Sequence, residues 1–213
     1  MITRKIVRAR FLDLRIAAAL LVANAAVSHA ASLHVEPVLV EVGAPAAAAT
    51  LTLRNGGGEP INTQIRVFRW RQTDGAERLE PTTDVVASPP IVNLKPKDDY
   101  VVRVVRVSKQ PVAGEESYRL LVDELPSPVR SQGRTVNLLA RYSIPVFFSL
   151  PQAGKPSVAW SASVQGAKLT LVARNNGDRR LRISSLRVRN SEGHVVTFGN
   201  GLVGYALGRS SMT

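Results

Sequence analysis

The chain has 213 residues, 28 Lys+Arg against 16 Asp+Glu for a net formal charge of +12, 45% hydrophobic residues and no cysteine. Aliphatic content this high excludes a wholly disordered chain. The lack of cysteine excludes a disulfide framework, a thiol nucleophile, a cysteine-liganded zinc and an iron–sulfur cluster. The length suits one large domain or two of roughly 100 residues. No run of 18 or more apolar residues is present, so stable membrane insertion is not expected.

The first 30 residues read as a secretory signal peptide. Arg4, Lys5, Arg8, Arg10 and Arg15 precede the short apolar stretch Ile16–Val27, and Ser28-His29-Ala30 offers small residues for cleavage. Removing residues 1–30 takes away five basic residues and Asp13, lowering the net charge to +8. Part of the basicity is therefore targeting chemistry.

Residues 31–150 then read as short strands. Ser32–Val42 is extended and interrupted by Pro37. Thr50–Arg54 alternates and meets a turn at Asn55-Gly56-Gly57-Gly58, read as a hairpin. Ile61–Trp70 places Ile61, Thr63, Ile65 and Val67 on one face. Tyr100–Val107 and Tyr118–Leu125 follow. With Gly, Pro, Asp and Ser clusters between them, these segments predict an all-β sandwich or barrel.

The segment 135–148 differs from the rest. Val136, Leu138, Ala140, Tyr142, Ile144, Val146 and Phe148 alternate with a mixed face that includes Arg141 and Pro145. That is about twice the length of an ordinary strand. Pro145 cannot donate to a ladder, which points to a sheet edge. A long apolar edge is a hazard unless it is used for pairing. A long central strand filling the core explains the same pattern.

Leu150–Pro156 marks the domain boundary. Residues 151–213 carry further strands at Ser157–Val164, Lys168–Arg174, Leu181–Asn190 and Val195–Phe198. Sixty-three residues is small for a sandwich, and Gly208–Thr213 reads as a polar tail, so this second domain is expected to be truncated at its C-terminus.

The search for catalytic chemistry finds little. His34 and His194 lack metal-ligand spacing, and no nucleophile elbow, phosphate loop or dinucleotide fingerprint occurs. Asp98-Asp99 and Glu115-Glu116 are neighbours that point to opposite sides. No enzyme activity, cofactor or metal is expected. Arg103, Arg106, Arg119, Arg141, Arg187 and Arg189 are scattered through strands, without the contiguous patch and stacking aromatics that nucleic acid requires. Arg119 stands out because its neighbours in Ser117–Val122 look buried. An unpaired, half-buried arginine suggests an anion brought by a partner.

Several segments carry a resemblance. They are Ser32–Val40, Thr50–Asn55, Arg66–Trp70, Ser88–Pro90, Leu94–Pro96 with Val102-Arg103, Glu116–Pro126 and Arg141–Phe147. In their order and spacing the chain resembles the periplasmic chaperones of the chaperone–usher pathway, in the archaic, sigma-type, spore-coat-like branch. The resemblance implies two immunoglobulin-like sandwiches. It further implies that pilin subunits lacking one strand borrow the edge strand 135–148 and pass to an outer-membrane usher. Val136, Leu138 and Ala140 match the family's donor positions, and Tyr142 and Ile144 continue that face. The basic pair that anchors the subunit carboxylate in the best-known branch falls on Pro37 and Pro145, which cannot do that job. Arg119 is then the first candidate anchor, followed by Arg103 and Arg141, with a salt bridge between domains as the rival role. The alternative function is an exported immunoglobulin-like adhesion or binding module without strand donation.

Overall fold

Residues 33–126 and 138–213 are described in a computed structural model. The signal reading of residues 1–30 and donor position Val136 lie outside the described residues. No helix occurs among the described ones.

The Val, Ile and Thr alternation folds residues 33–150 into two packed sheets. One has four strands in the order β1 (Leu33–Glu36), β3 (Ala48–Asn55), β8 (Asp99–Arg106), β6 (Val85–Ser88). The other runs β2 (Val40–Gly43), β10 (Arg141–Ser149), β9 (Glu115–Glu124), β4 (Ile61–Thr73), β5 (Ala76–Pro81), with β7 (Ile91–Leu94) also on β4. Alternate residues from both sheets meet in one core that includes Leu33, Leu53, Val104, Ile65, Leu120 and Phe148. Strand periodicity puts every second side chain on that face.

Several details depart from the sequence reading. The segment Ser32–Val42 is two strands in different sheets, because Pro37 lacks the N–H that would continue the first ladder. The Asn55–Gly58 turn is not a hairpin: β3 and β4 belong to opposite sheets. It is a corner held by the fully buried Asn55, whose Nδ2 donates to Glu59 O (2.7 Å) and Leu94 O (3.2 Å) while Oδ1 accepts from Gly57 N (2.9 Å). Of the neighbouring carboxylates, which the sequence places in loops, Asp98 does precede β8, but Asp99 opens that strand and Glu115 and Glu116 open β9.

Residues 151–213 form smaller sheets. β11 (Val158–Gln165), β12 (Lys168–Asn175) and β17 (Ser210–Met212) make one; β13 (Leu181–Ser184) with β16 (Leu202–Ala206), and β14 (Arg187–Arg189) with β15 (Val195–Thr197), make two more. The predicted strand Leu181–Asn190 is split at Ser185, which adopts φ 51°. The Gly208–Thr213 tail is not all loop, since Ser210–Met212 pairs with β12. The Asn55 corner recurs at Asn175, buried likewise. Its Nδ2 donates to Arg179 O, Ala206 O and Leu207 O, and its Oδ1 accepts from Ser157 N and Gly177 N.

Residues 31–213 are one compact unit. Its two halves meet through Trp70, Phe147, Tyr205 and Leu207, which form a separate apolar cluster.

Candidate strand-pairing edge and the face beside it

β10 is flanked unequally. It pairs antiparallel with β9 along its whole length, from Arg141↔Asp123 to Ser149↔Glu115. On its other side β2 joins, in parallel, only from Val146↔Val40 to Ser149↔Gly43. Among the described residues Arg141–Pro145 therefore has no strand on that side.

Two hydrogen bonds fix which backbone groups face outward. Glu124 N donates to Ala140 O, and Ala44 N donates to Ser149 O, both at 2.9 Å. Strand alternation then turns even-numbered backbone groups toward β9 and odd-numbered ones the other way. The open edge offers the N–H and C=O of Arg141 and Ser143. The missing N–H of Pro145 falls on this edge, so the β9–β10 ladder loses nothing.

Side chains on the even face change role along the strand. Leu138, just before β10, is 83% exposed, and Ala140 is half-buried. Tyr142 packs on the sandwich core and donates from its hydroxyl to Leu33 O (2.5 Å). Ile144 is 2% exposed and lies inside that core. The sequence grouped these four with Val136 as one donor face. The structure leaves Leu138 outward and commits Ile144 to the chain's own core, because the opposite sheet begins to cover this face there. Among the described residues the regular strand starts at Arg141, and positions 135–137 of the predicted strand lie outside them.

The three candidate arginines are not brought together. Arg103 lies on β8, in the other sheet, exposed on its outer face. Arg141 pairs with Asp123, which also holds Arg66 at 2.7 Å. Burial would raise the Asp123 carboxyl, but hydrogen bonds from Arg141 and Arg66 hold it below the usual range. Arg119 sits on β9 directly opposite Pro145. It is not unpaired, as its sequence setting suggested. Its guanidinium stacks on Trp70, 3.7 Å from the ring centroid, and donates to Glu77 Oε1 at 3.5 Å. Burial pushes its pKa down, with Glu77 opposing. That long contact is its only side-chain hydrogen bond to a described residue, so most of its five N–H donors remain for another acceptor.

Sequence reasoning missed the face around Arg119. Trp70 is buried with no partner for Nε1. Phe147 packs against it tilted and Tyr205 edge-to-face, at centroid distances of 5.9 and 5.7 Å. Gln72 donates to Tyr205 O (2.7 Å) and accepts from Leu207 N (2.9 Å). Arg180 covers Phe147 at 3.6 Å and is clamped by Glu115 and Glu41. The usable signal was the alternation opposite the core face, even-numbered on β4, where it carries Trp70 and Gln72, and odd-numbered on β10, where it carries Phe147. No group of His, Cys, Asp and Glu among the described residues could hold a metal.

The family model for the pili and flagellar-assembly chaperone, PapD N-terminal domain, matches residues 32–154. The chain belongs to the PapD family of pilus-assembly chaperones. It is thus a chaperone of pilus assembly, of a family and fold that are not enzymatic. Its fold is similar to a chaperone–tip adhesion subunit complex from the archaic Csu pili of Acinetobacter baumannii, at 28% identity and TM-score 0.70, covering 85% of this chain and 86% of that one. It also resembles the E. coli chaperone DraB at 21% identity, 84% coverage of both chains and TM-score 0.57. The Salmonella enterica SafA pilin–SafB chaperone complex matches at 17% identity, 86% and 83% coverage and TM-score 0.59. No curated protein matches by sequence. The similarity to the archaic system agrees with the branch that the sequence motifs resemble. This chaperone is all-β throughout its described residues, with the immunoglobulin-like architecture of these relatives.

Proposed function

We propose that this chaperone is exported by its N-terminal 30 residues, works in the periplasm and captures pilin subunits by lending them the open edge of β10. The observation that carries the reading is the unpaired edge Arg141–Pro145, entered through the exposed Leu138 and Leu139. An incomplete subunit sheet pairs with the odd-numbered backbone groups of Arg141 and Ser143. Apolar side chains ahead of the core, Val136, Leu138 and Ala140, fill its groove. Tyr142 and Ile144 support the strand from inside. Similar structures hold a chaperone bound to a tip adhesion subunit and a chaperone bound to a pilin, which favours subunit capture over a binding module without strand donation. The captured subunit passes to an outer-membrane usher.

In this reading Arg119 receives the subunit's terminal carboxylate. It is the arginine beside the edge with donors to give, whereas Arg141 is tied to Asp123 and Arg103 lies on the other sheet. The test is co-expression with a strand-deficient pilin. The edge reading expects a soluble complex in the periplasm and protection of the Arg141 and Ser143 amides from hydrogen exchange. A complex that leaves both amides exchanging as in the free chaperone overturns it.

A further inference from the structure

Arg119 and Glu77 belong to strands on opposite sides of β4. Arg119 stands on β9 across from Phe68, and Glu77 on β5 across from Gln72. Their side chains meet at Trp70, which lies between those two positions on β4. The guanidinium rests on the indole, and 15% of the Arg119 side chain is exposed. Glu77 reaches it from solvent, with 51% of its own side chain exposed.

The pair is loose. Arg119 Nη2 and Glu77 Oε1 stand 3.5 Å apart in a single contact. Elsewhere in the same sandwich such pairs close fully. Arg54 grips Asp99 with two bonds of 2.7 Å, and Arg106 grips Glu116 with two of 2.8 Å. Short, bidentate, charge-assisted bonds are the strong ones. Glu77 therefore offsets the charge of a half-buried arginine but leaves its fork unused. Stacking on Trp70 fixes the plane of that fork in advance. A carboxylate that meets it with two bonds outcompetes one that meets it with a single long bond. Release of Glu77 costs little, because its carboxylate already stands half in water.

We infer that Glu77 is a resident stand-in for the subunit's terminal carboxylate: the arriving carboxylate takes its place on Arg119, and Glu77 turns out to solvent. The role rests on Arg119 as the carboxylate receiver and adds a specificity residue to it. With Glu77 in place the free site is close to neutral, so a newcomer enters only by replacing like with like. A neutral amide lacks the charge to displace Glu77, and a cation is repelled by Arg119 once Glu77 has left. Glu77 also sets a threshold, since two carboxylates on one fork repel each other. Removing its charge should strengthen capture, the reverse of what a residue that merely orients Arg119 would show.

The probes are two synthetic peptides of about eight residues, the length of an ordinary strand, alternating Val and Thr. They differ only at the C-terminus, a free carboxylate in one and an amide in the other. Each is titrated into the full mature chain as wild type, Glu77→Gln and Arg119→Ala, with hydrogen exchange read at Arg141 and Ser143. Glu77→Gln should bind the free-acid peptide about two- to fivefold more tightly than wild type does. The amidated peptide should bind as before, and both edge amides should stay protected. That result supports the inference. Unchanged or weaker binding of the free acid by Glu77→Gln overturns it. An equal gain for both peptides overturns it too, because a general loosening of this face does not sense charge at the chain end. A preference for the free acid that Arg119→Ala abolishes but Glu77→Gln leaves unmoved sinks the stand-in role alone. If wild type and Arg119→Ala favour the free acid equally, or neither favours it, Arg119 is not the receiver and the stand-in role falls with it. If neither peptide protects Arg141 and Ser143, the edge reading fails and takes the stand-in role with it.

Discussion

Pro145 and Arg119 face each other across the β9–β10 ladder, the first closing the open edge and the second capping Trp70 beside it. A residue that cannot donate and a cation with spare donors thus stand side by side where an incoming chain end would arrive. That juxtaposition separates three roles along β10: edge pairing, anion binding and core filling.

Leu138→Asp tests the first role. Leu138 is exposed before the strand begins, so the free chaperone should keep its melting temperature, with a change within about 0.5 kcal/mol. Recovery of soluble pilin from the periplasm should fall sharply, because the charge would be buried without a partner in the complex. Ile144→Asp should instead unfold the free protein. Unchanged pilin recovery with Leu138→Asp would refute side-chain donation there.

Arg119→Ala tests the second role. It should weaken subunit capture far more than Arg187→Ala, on an exposed face of β14. Losing the stack on Trp70 should cost the free fold only about 0.5–2 kcal/mol. Arg119→Lys keeps the charge but not the planar fork, so it should restore capture in part. Equal capture by the Arg119 and Arg187 alanine variants places the anchor elsewhere.

Acid stability follows from two carboxyls. Burial would raise Glu116, but hydrogen bonds from Arg106 and Tyr118 and the charges of Arg106 and Arg69 hold it below its usual range; Asp123 is likewise held down by Arg141 and Arg66. A lowered folded-state pKa contributes stability that is present above the unfolded value and is lost as pH falls through the folded one. Melting temperature should therefore be nearly flat from neutral to about pH 5 and drop below about pH 4. Asp123→Asn should be less stable at neutral pH and show a shallower acid drop. An unchanged acid limb would show that these pairs are not linked to folding.

The cores predict unequal toughness. The first half buries a large continuous core, whereas the described core of the second is Ala173, Ile183 and Ala206 with partly buried neighbours. Limited proteolysis of the mature protein should cut first beyond Pro151. Gln72→Ala should speed that cleavage, since Gln72 holds the backbone at both Tyr205 and Leu207. Equal cleavage of the two halves would contradict this.

Much of the fold was legible because strand periodicity is local. Ile61, Thr63, Ile65 and Val67 on β4 were placed on one face from alternation alone; the first three are buried and Val67 is partly buried against the same core. What escaped was set by which sheet a strand joins. Asn55 looked like hairpin chemistry because a turn's residues do not state whether the next strand pairs with the last. Ile144 looked like part of a continuous donor face because alternation gives the side of a strand, not what covers that side. Arg119 was singled out through its apolar neighbours, but Trp70 and Glu77 lie far from it in sequence. The strands β5, β6 and β7 are short and mixed in polarity, and their ladders with β4 and β8 depend on distant partners.

Mechanically, β10 is a cantilever. Its far end is built into the molecule: β2 grips it from Val146 onward, Phe147 is wedged against Trp70 and Tyr205, and Arg180 presses on that ring from the other half. Its near end is supported along one side only. A beam fixed in this way can bear a load at its tip without its root creeping. Peeling a bound chain from the tip inward would meet rising stiffness toward Val146, so exchange of one strand for another should begin at Arg141 and stall if the tip is blocked.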